Sequence, residues 1–282
     1  MKDIRVLLPI ALLILGSIYS KDHIRKIEFK EWDVTKEERE EINLNAEKVL
    51  ADKECVGCLL KSVDFSSETL QNVNLKNANL VFAVFDDAFL QKANLMGSDL
   101  EGASFSDTKL QNAKLAGANL RYASLVGTNF SEADLRNVNM KQASVHSVNF
   151  NNANLENVDF SDAEMGYCNF DGARLKGVKW STIRTDGGAG LNLTGAIDLA
   201  KSNLKNAFLS YSDLTGVSLP KVNLRGADLS HVLLTNADLQ GANLQDAILT
   251  YADLTGANLR EANFKGAILT DVIGADFTGA IR

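Results

Sequence analysis

Residues 91–120 read QKANL MGSDL EGASF SDTKL QNAKL AGANL. Every fifth residue in this stretch is Leu or Phe, and two places before each stands Ala, Ser or Thr. The large beat runs unbroken from Leu60 to Trp180 as fourteen Leu, seven Phe, Met140, Met165, Val145 and Trp180, with no charge in any slot. It pauses after Trp180 and returns from Leu199, Leu204 and Leu209 onward to Leu269. A period of five fits neither the 3.6 of a helix nor the alternation of a long strand. Repetition at a short fixed spacing instead signals a solenoid. Side chains alternate across extended backbone, so the small and the large residue of each unit face the same way. The Gly, Ser, Asn and Asp between them suit tight corners.

The unit A(N/D)Lxx, plain in QKANL, AGANL, SEADL at Leu135, RGADL at Leu229 and TGANL at Leu259, resembles the pentapeptide-repeat family from about Leu60 to the last residue. The resemblance implies an all-β solenoid, a right-handed quadrilateral β-helix with four units to a coil. The residues support a twenty-residue coil by themselves: Phe65, Phe85 and Phe105 fall twenty apart, as do Phe130, Phe150 and Phe170. Leu75, Leu95, Leu115, Leu135, Leu155 and Leu175 form an all-Leu column. About ten coils at the inter-strand spacing of about 4.8 Å make a rod on the order of 50 Å long, with no room for an interior pocket.

The chain divides into residues 1–20, 21–54, 55–180, an interrupting 181–198 and 199–282. Lys2 and Arg5 precede the apolar run Val6 to Leu15, which reads as a secretory signal peptide. A membrane tether through residues 6–20 is the alternative, since no Ala-x-Ala cleavage site is present and Lys21 follows Ser20 directly. Thr35 and Glu38 form a T-x-x-E capping box ahead of Ile42, Ala46, Val49 and Leu50 at helical spacing. This predicts a helix from about Lys36 to Asp52 that covers the open first coil, because solenoid ends need caps. No such helix is legible at the other end, where Phe277 falls off the beat.

Cys55 and Cys58 precede the first repeat. Export favours a disulfide between them, given a turn at Val56 and Gly57; free thiols, redox chemistry and metal binding stay open alternatives. Some exported members of the family are similar in carrying a CxxC there. Cys168 takes a small inward slot and reads as inert packing. Glu68 also takes an inward slot, which suggests a loosened first coil. His23, His146 and His231 are far apart in sequence and make no metal or catalytic cluster. The segment Ser181 to Asp198, with Gly187, Gly188 and Gly190, lacks the strand and helix that phosphate binding needs and reads as a connector.

Outward slots hold two apolar groups. Val81, Phe82, Val84 and Phe89 form one, which the segment carrying Ile24, Ile27, Phe29 and Trp32 is expected to cover; Phe208, Ile248 and Ile268 form the other, on one face, where self-association as a homodimer near the C-terminal end is an option. With no nucleophile and base pair, metal spacing or cofactor loop legible, the expectation is a non-enzymatic, exported scaffold for an unidentified protein partner, in a periplasm, a lumen or outside the cell. A pI near 5.1 lacks the basic footprint of a nucleic-acid binder. The resemblance also implies an alternative: cytoplasmic members mimic DNA, bind DNA gyrase and protect it from quinolones. That role needs dense surface carboxylates, whereas 36 acidic residues here stand against 29 basic ones.

Overall fold

The computed structural model describes residues 34–180, 183–185 and 190–282. The residue before each large inward one forms a parallel bridge with its counterpart twenty positions on: Asn74 with Asn94, Asn79 with Asp99, Val84 with Ser104, Phe89 with Lys109. These four series define the four sides of each coil. Two hydrogen bonds make each rung. The Leu75 N–H donates to the Asn94 carbonyl at 2.8 Å, and the Asn94 N–H donates back to the Val73 carbonyl at 2.8 Å. A third bond closes the corner, from the Ala78 N–H to the Leu75 carbonyl at 3.1 Å.

The second corner residue is left-handed at every fifth position from Gly57 to Gly177 and from Asn206 to Asp271, as at Asn77 (φ 57°) and Gly117 (φ 73°). Asn, Asp and Gly tolerate that conformation best, which explains their abundance there. Three residues run in, out and in; two then turn. That is why the period is five.

The N/D of the motif has a second task. Its Oδ1 accepts the N–H two residues on, as from Asn94 to Met96 (3.3 Å) and from Asn149 to Asn151 (2.9 Å). A corner N–H that no rung reaches is thereby paired. Some of these amides also join along the rod: Asn139 Nδ2 donates to Asn119 Oδ1 at 3.1 Å, and Asn192 Nδ2 to Asn169 Oδ1 at 3.0 Å.

Inside, Leu95 and Leu115 are fully buried, as the all-Leu column requires. Phe85 and Phe105 stack with centroids 5.0 Å apart, and Phe150 and Phe170 at 4.9 Å. Phe150 meets Phe160 edge-on across the axis at 6.0 Å, so rings from opposite sides fill the middle. Hydroxyls in small inward slots bond to backbone, as Thr108 Oγ1 does to the Phe85 carbonyl at 2.6 Å. Glu68 is half-buried, but its slot is regular: its N–H reaches the Phe65 carbonyl at 3.1 Å, and the Phe89 N–H reaches its own at 2.9 Å. The backbone rungs hold the first coil together there, whatever the side chain.

Helix α1 spans Lys36–Asp52. The Thr35 hydroxyl accepts the Glu38 N–H at 3.2 Å, and Glu38 Oε2 accepts the Thr35 N–H at 2.8 Å. Ile42, Ala46 and Val49 are fully buried in one core with the first coil. Side chains from the cap also meet carbonyls on the coil's open edge, Asn45 Nδ2 at Leu59 (3.0 Å) and Lys53 Nζ at Thr69 (2.7 Å). α1 therefore seals both the apolar end and part of the unpaired rung.

Short strands β1 (Ser144–His146), β2 (Glu164–Gly166) and β3 (Arg184–Thr185) stack in parallel along one side. Where the five-residue beat fails, the coil continues. Ile183, Leu191 and Leu193 are buried, and the bridge offset grows from 20 to 23 at Asn169 with Asn192, then to 24 at Lys179 with Asn203. It returns to 20 by Phe208 with Asp228. The break in the beat is a change of phase inside one coil, caused by a few inserted residues.

Candidate functional site

With the axis filled, the outer faces carry whatever the rod can offer. The first outward group is only partly outward. Phe89 is 42% exposed, but Val81 is half-buried and Phe82 and Val84 are buried. The slot assignment missed this because Phe82 occupies a corner, where its ring lies against the bare Cα of Gly102; an added Cβ there would strike that ring. Val84 is flanked along its own side by Asp64 and Ser104. The segment expected to cover this group, and the expected signal or tether at residues 6–20, lie outside the described residues.

The second group sits as its spacing requires. Phe208, Ile248 and Ile268 share one bridge column, with Asp228 between the first two, and all three are exposed. On the adjoining side, Leu233 and Ile273 are exposed in a column shared with Asp213 and Asp253. The corner between these two sides carries a feature that sequence reasoning passed over. Tyr211, His231 and Tyr251 stack on successive coils, with ring centroids 4.5 and 4.9 Å apart and planes within 7° and 23°. Their twenty-residue spacing was visible; applying the Phe-column rule to outward slots finds them.

Cys55 and Cys58 are joined by a disulfide, with Cα atoms 5.5 Å apart across a turn in which Gly57 has φ 68°. It locks the strand leaving α1 at the start of the first coil. Cys168 is buried, donates to the Val145 carbonyl at 3.1 Å, and burial pushes its thiol pKa up to about 12. Ser144 Oγ lies 3.2 Å from His146 Nδ1, and Ser144 is buried. Among the described residues no group of His, Cys, Asp and Glu is placed to hold a metal ion, and no helix is long and apolar enough to cross a membrane.

Three carboxylates of the first block, Asp134, Glu156 and Asp159, are held in ion pairs. Arg136 donates to Asp134 at 2.6 Å and holds its carboxyl below the usual range. Burial opposes ionisation of Asp159, but Ser161 and Lys179 outweigh it and its pKa is also lowered; Lys141 and Lys179 both reach it, at 3.4 and 3.1 Å. Lys176 pairs with Glu156 at 2.9 Å. In the second block, the stretch from Gly226 to Leu259 has no Lys or Arg but carries Asp228, Asp238, Asp246 and Asp253, of which Asp246 pairs with Arg225 at 3.2 Å.

A family model described as pentapeptide repeats matches eight copies over residues 64–102, 197–236 and 237–279, and one described as a pentapeptide repeat region matches 113–187. No curated protein matches. Among solved structures the chain is similar to HetL, a pentapeptide repeat protein involved in heterocyst differentiation regulation from the cyanobacterium Nostoc sp. strain PCC 7120. That match has 26% identity, covers 84% of this chain and 92% of that one, and has a TM-score of 0.31. Trypsin-treated QnrB1, a plasmid-mediated fluoroquinolone resistance protein, is 18% identical over 68% of this chain and 86% of its own, at a TM-score of 0.47. A pentapeptide repeat protein of the Arabidopsis thaliana thylakoid lumen is 33% identical over 36% and 63%, at 0.28.

Proposed function

Since this chain belongs to the pentapeptide-repeat family, we propose that it is a non-enzymatic, exported scaffold whose rigid outer faces engage a protein partner. The observation that carries the reading is the column of Phe208, Ile248 and Ile268, three exposed apolar side chains held at fixed heights on a rod whose axis is closed. Clustered exposed apolar surface of this kind marks contact sites. Export is supported by the N-terminal sequence and by the Cys55–Cys58 disulfide, which persists in oxidising compartments. The right hand comes from the family resemblance, and the count of about ten coils from the length of the repeat region at twenty residues per coil.

The gyrase-binding alternative has less support, because 36 acidic residues stand against 29 basic ones, and Asp134, Glu156 and Asp159 of the first block are themselves paired with Arg136, Lys176, Lys141 and Lys179. Affinity capture from the native exported fraction tests the scaffold reading. The parent chain should retain a partner that the triple variant Phe208→Ser, Ile248→Ser, Ile268→Ser loses; equal retention by both rejects the column as the contact. Homodimerisation near Ile268 belongs to the same reading, and light scattering that stays monomeric over a concentration series removes it.

A further inference from the structure

Two adjoining sides of the second block differ from the rest of the rod in both charge and shape. At their shared corner the Tyr211, His231 and Tyr251 rings form one continuous ridge, spaced by the rung distance. Exposed aliphatic side chains lie on both flanks, Ile248 and Ile268 on one and Leu233 and Ile273 on the other. Aspartates alternate with them in the same columns, Asp228 on the first flank, Asp213 and Asp253 on the second. No Lys or Arg stands in either column or on the ridge; Lys205, Arg225 and Lys265 line the far corner of the first flank, where Arg225 pairs with Asp246, and no basic residue borders the second flank between Asp213 and Asp253 at the corner that follows it. The ridge and its second flank therefore combine negative charge with aromatic and aliphatic area, and the basic residues stand only at the far edge of the first flank.

We infer that this corner is the docking surface for a cationic, amphipathic polypeptide segment, one whose Lys or Arg side chains meet Asp213, Asp228 and Asp253 while its apolar residues lie along the Tyr–His–Tyr ridge. Charge complementarity selects this occupant. An acidic partner laid along the ridge meets repulsion from three carboxylates, with basic residues only at the far corner beyond the first flank. Stacked rings expose their edges and the tyrosine hydroxyls, which suits contact with side chains running along the ridge. This inference rests on the scaffold reading and narrows it to one surface and one partner chemistry.

The test uses the full chain and three labelled twelve-residue peptides, in which Leu alternates with Lys, Glu or Ser. The Lys peptide should bind at least about tenfold tighter than the other two in low salt, with the advantage shrinking as salt screens it. Hydroxyl-radical footprinting of that complex should protect Tyr211, Tyr251 and Ile248 and leave Tyr167, 68% exposed on the first block, open. The variant Tyr211→Ser, Tyr251→Ser should weaken Lys-peptide binding about tenfold without shifting the melting midpoint by more than a few degrees, because both side chains lie outside the core. Equal binding of the Glu or Ser peptide, equal protection of Tyr167, or self-association that the Tyr variant abolishes would overturn the assignment. If the affinity capture above still yields a partner that the Tyr variant retains, the ridge is wrong and the scaffold reading stands.

Discussion

Replacing Leu135 with Ala measures how much the closed axis contributes. Leu135 is fully buried between Leu115 and Leu155 of its column. Its N–H is tied to the Asn154 carbonyl at 2.8 Å, and the Leu115 N–H to the Asp134 carbonyl at 2.8 Å. Rungs above and below hold the backbone at fixed spacing, so the hole left by the truncated side chain cannot close by collapse. Leu→Ala losses span about 2.7–5.0 kcal/mol and rise with the cavity that remains. A site pinned on both sides should lose about 3–4 kcal/mol, or roughly 6–16 °C at about 2–4 °C per kcal/mol for a chain of this size. Lys141→Ala is the control: its side chain is 46% exposed, and Asp159 keeps Lys179 at 3.1 Å when Lys141 is gone. That loss should stay below about 1 kcal/mol. Leu135→Asp should cost more than Leu135→Ala and disrupt several coils, since it also buries a charge. Thermal melting followed by circular dichroism compares the variants. Coincident midpoints for the Leu135 and Lys141 changes would refute the claim that inward side chains hold the rod together.

Three further outcomes are expected. Cys55→Ser with Cys58→Ser should lower the melting midpoint, since a loop this short contributes about 2 kcal/mol on the chain-entropy model; an unchanged midpoint in the parent with and without reductant would show that the bridge adds nothing. Cys168 should resist iodoacetamide in the native chain, because its thiol pKa is pushed up to about 12 and it is buried, and should be alkylated in denaturant; native labelling detected by mass would contradict the packing. Burial raises the Asp86 carboxyl above its ordinary pKa despite donations from Ser104 Oγ and the Ser106 N–H, so its ionised form costs the folded chain stability above the folded pKa, and that cost fades as pH falls through it toward the unfolded value. Asp86→Asn, which keeps the accepting oxygen, should therefore melt no lower than the parent at pH 7, with any advantage shrinking in acid; a variant that melts clearly lower at pH 7 sinks this.

The inward half of the molecule was legible because packing dictates it. A charged residue at Leu95 or Phe150 has nowhere to go, so the sequence repeats its choice every five positions and the coil length shows in the Phe columns. The cap was equally legible: T-x-x-E followed by Ile42, Ala46 and Val49 placed α1 at Lys36–Asp52. Outward slots obey weaker rules. Phe82 occupies an outward position by count, yet its burial depends on Gly102 one coil later and on surroundings that no local pattern encodes. The described residues of segment 181–198 lose the beat yet keep rungs, because Asn192 still bridges Asn169, and Ile197 still bridges Arg174, at an offset of 23. Counting residues detects phase, whereas the hydrogen-bond ladder tolerates a shift in it.

The same ladder converts sequence distance into surface position. Residues twenty apart in the second block sit one rung apart, so Tyr211, His231 and Tyr251 become stacked rings although no two of them are near in sequence. A loop could not hold three rings in register without losing conformational entropy for each. Here the entropy was already spent in forming the coil, and the rings are ordered by a backbone that the buried Leu209, Leu229 and Leu249 hold in place. Preorganisation of that kind lowers the cost of binding, since less remains to be immobilised when a partner arrives. Selection on such a rod can therefore act on outward residues one at a time, leaving the inward beat to keep the surface rigid.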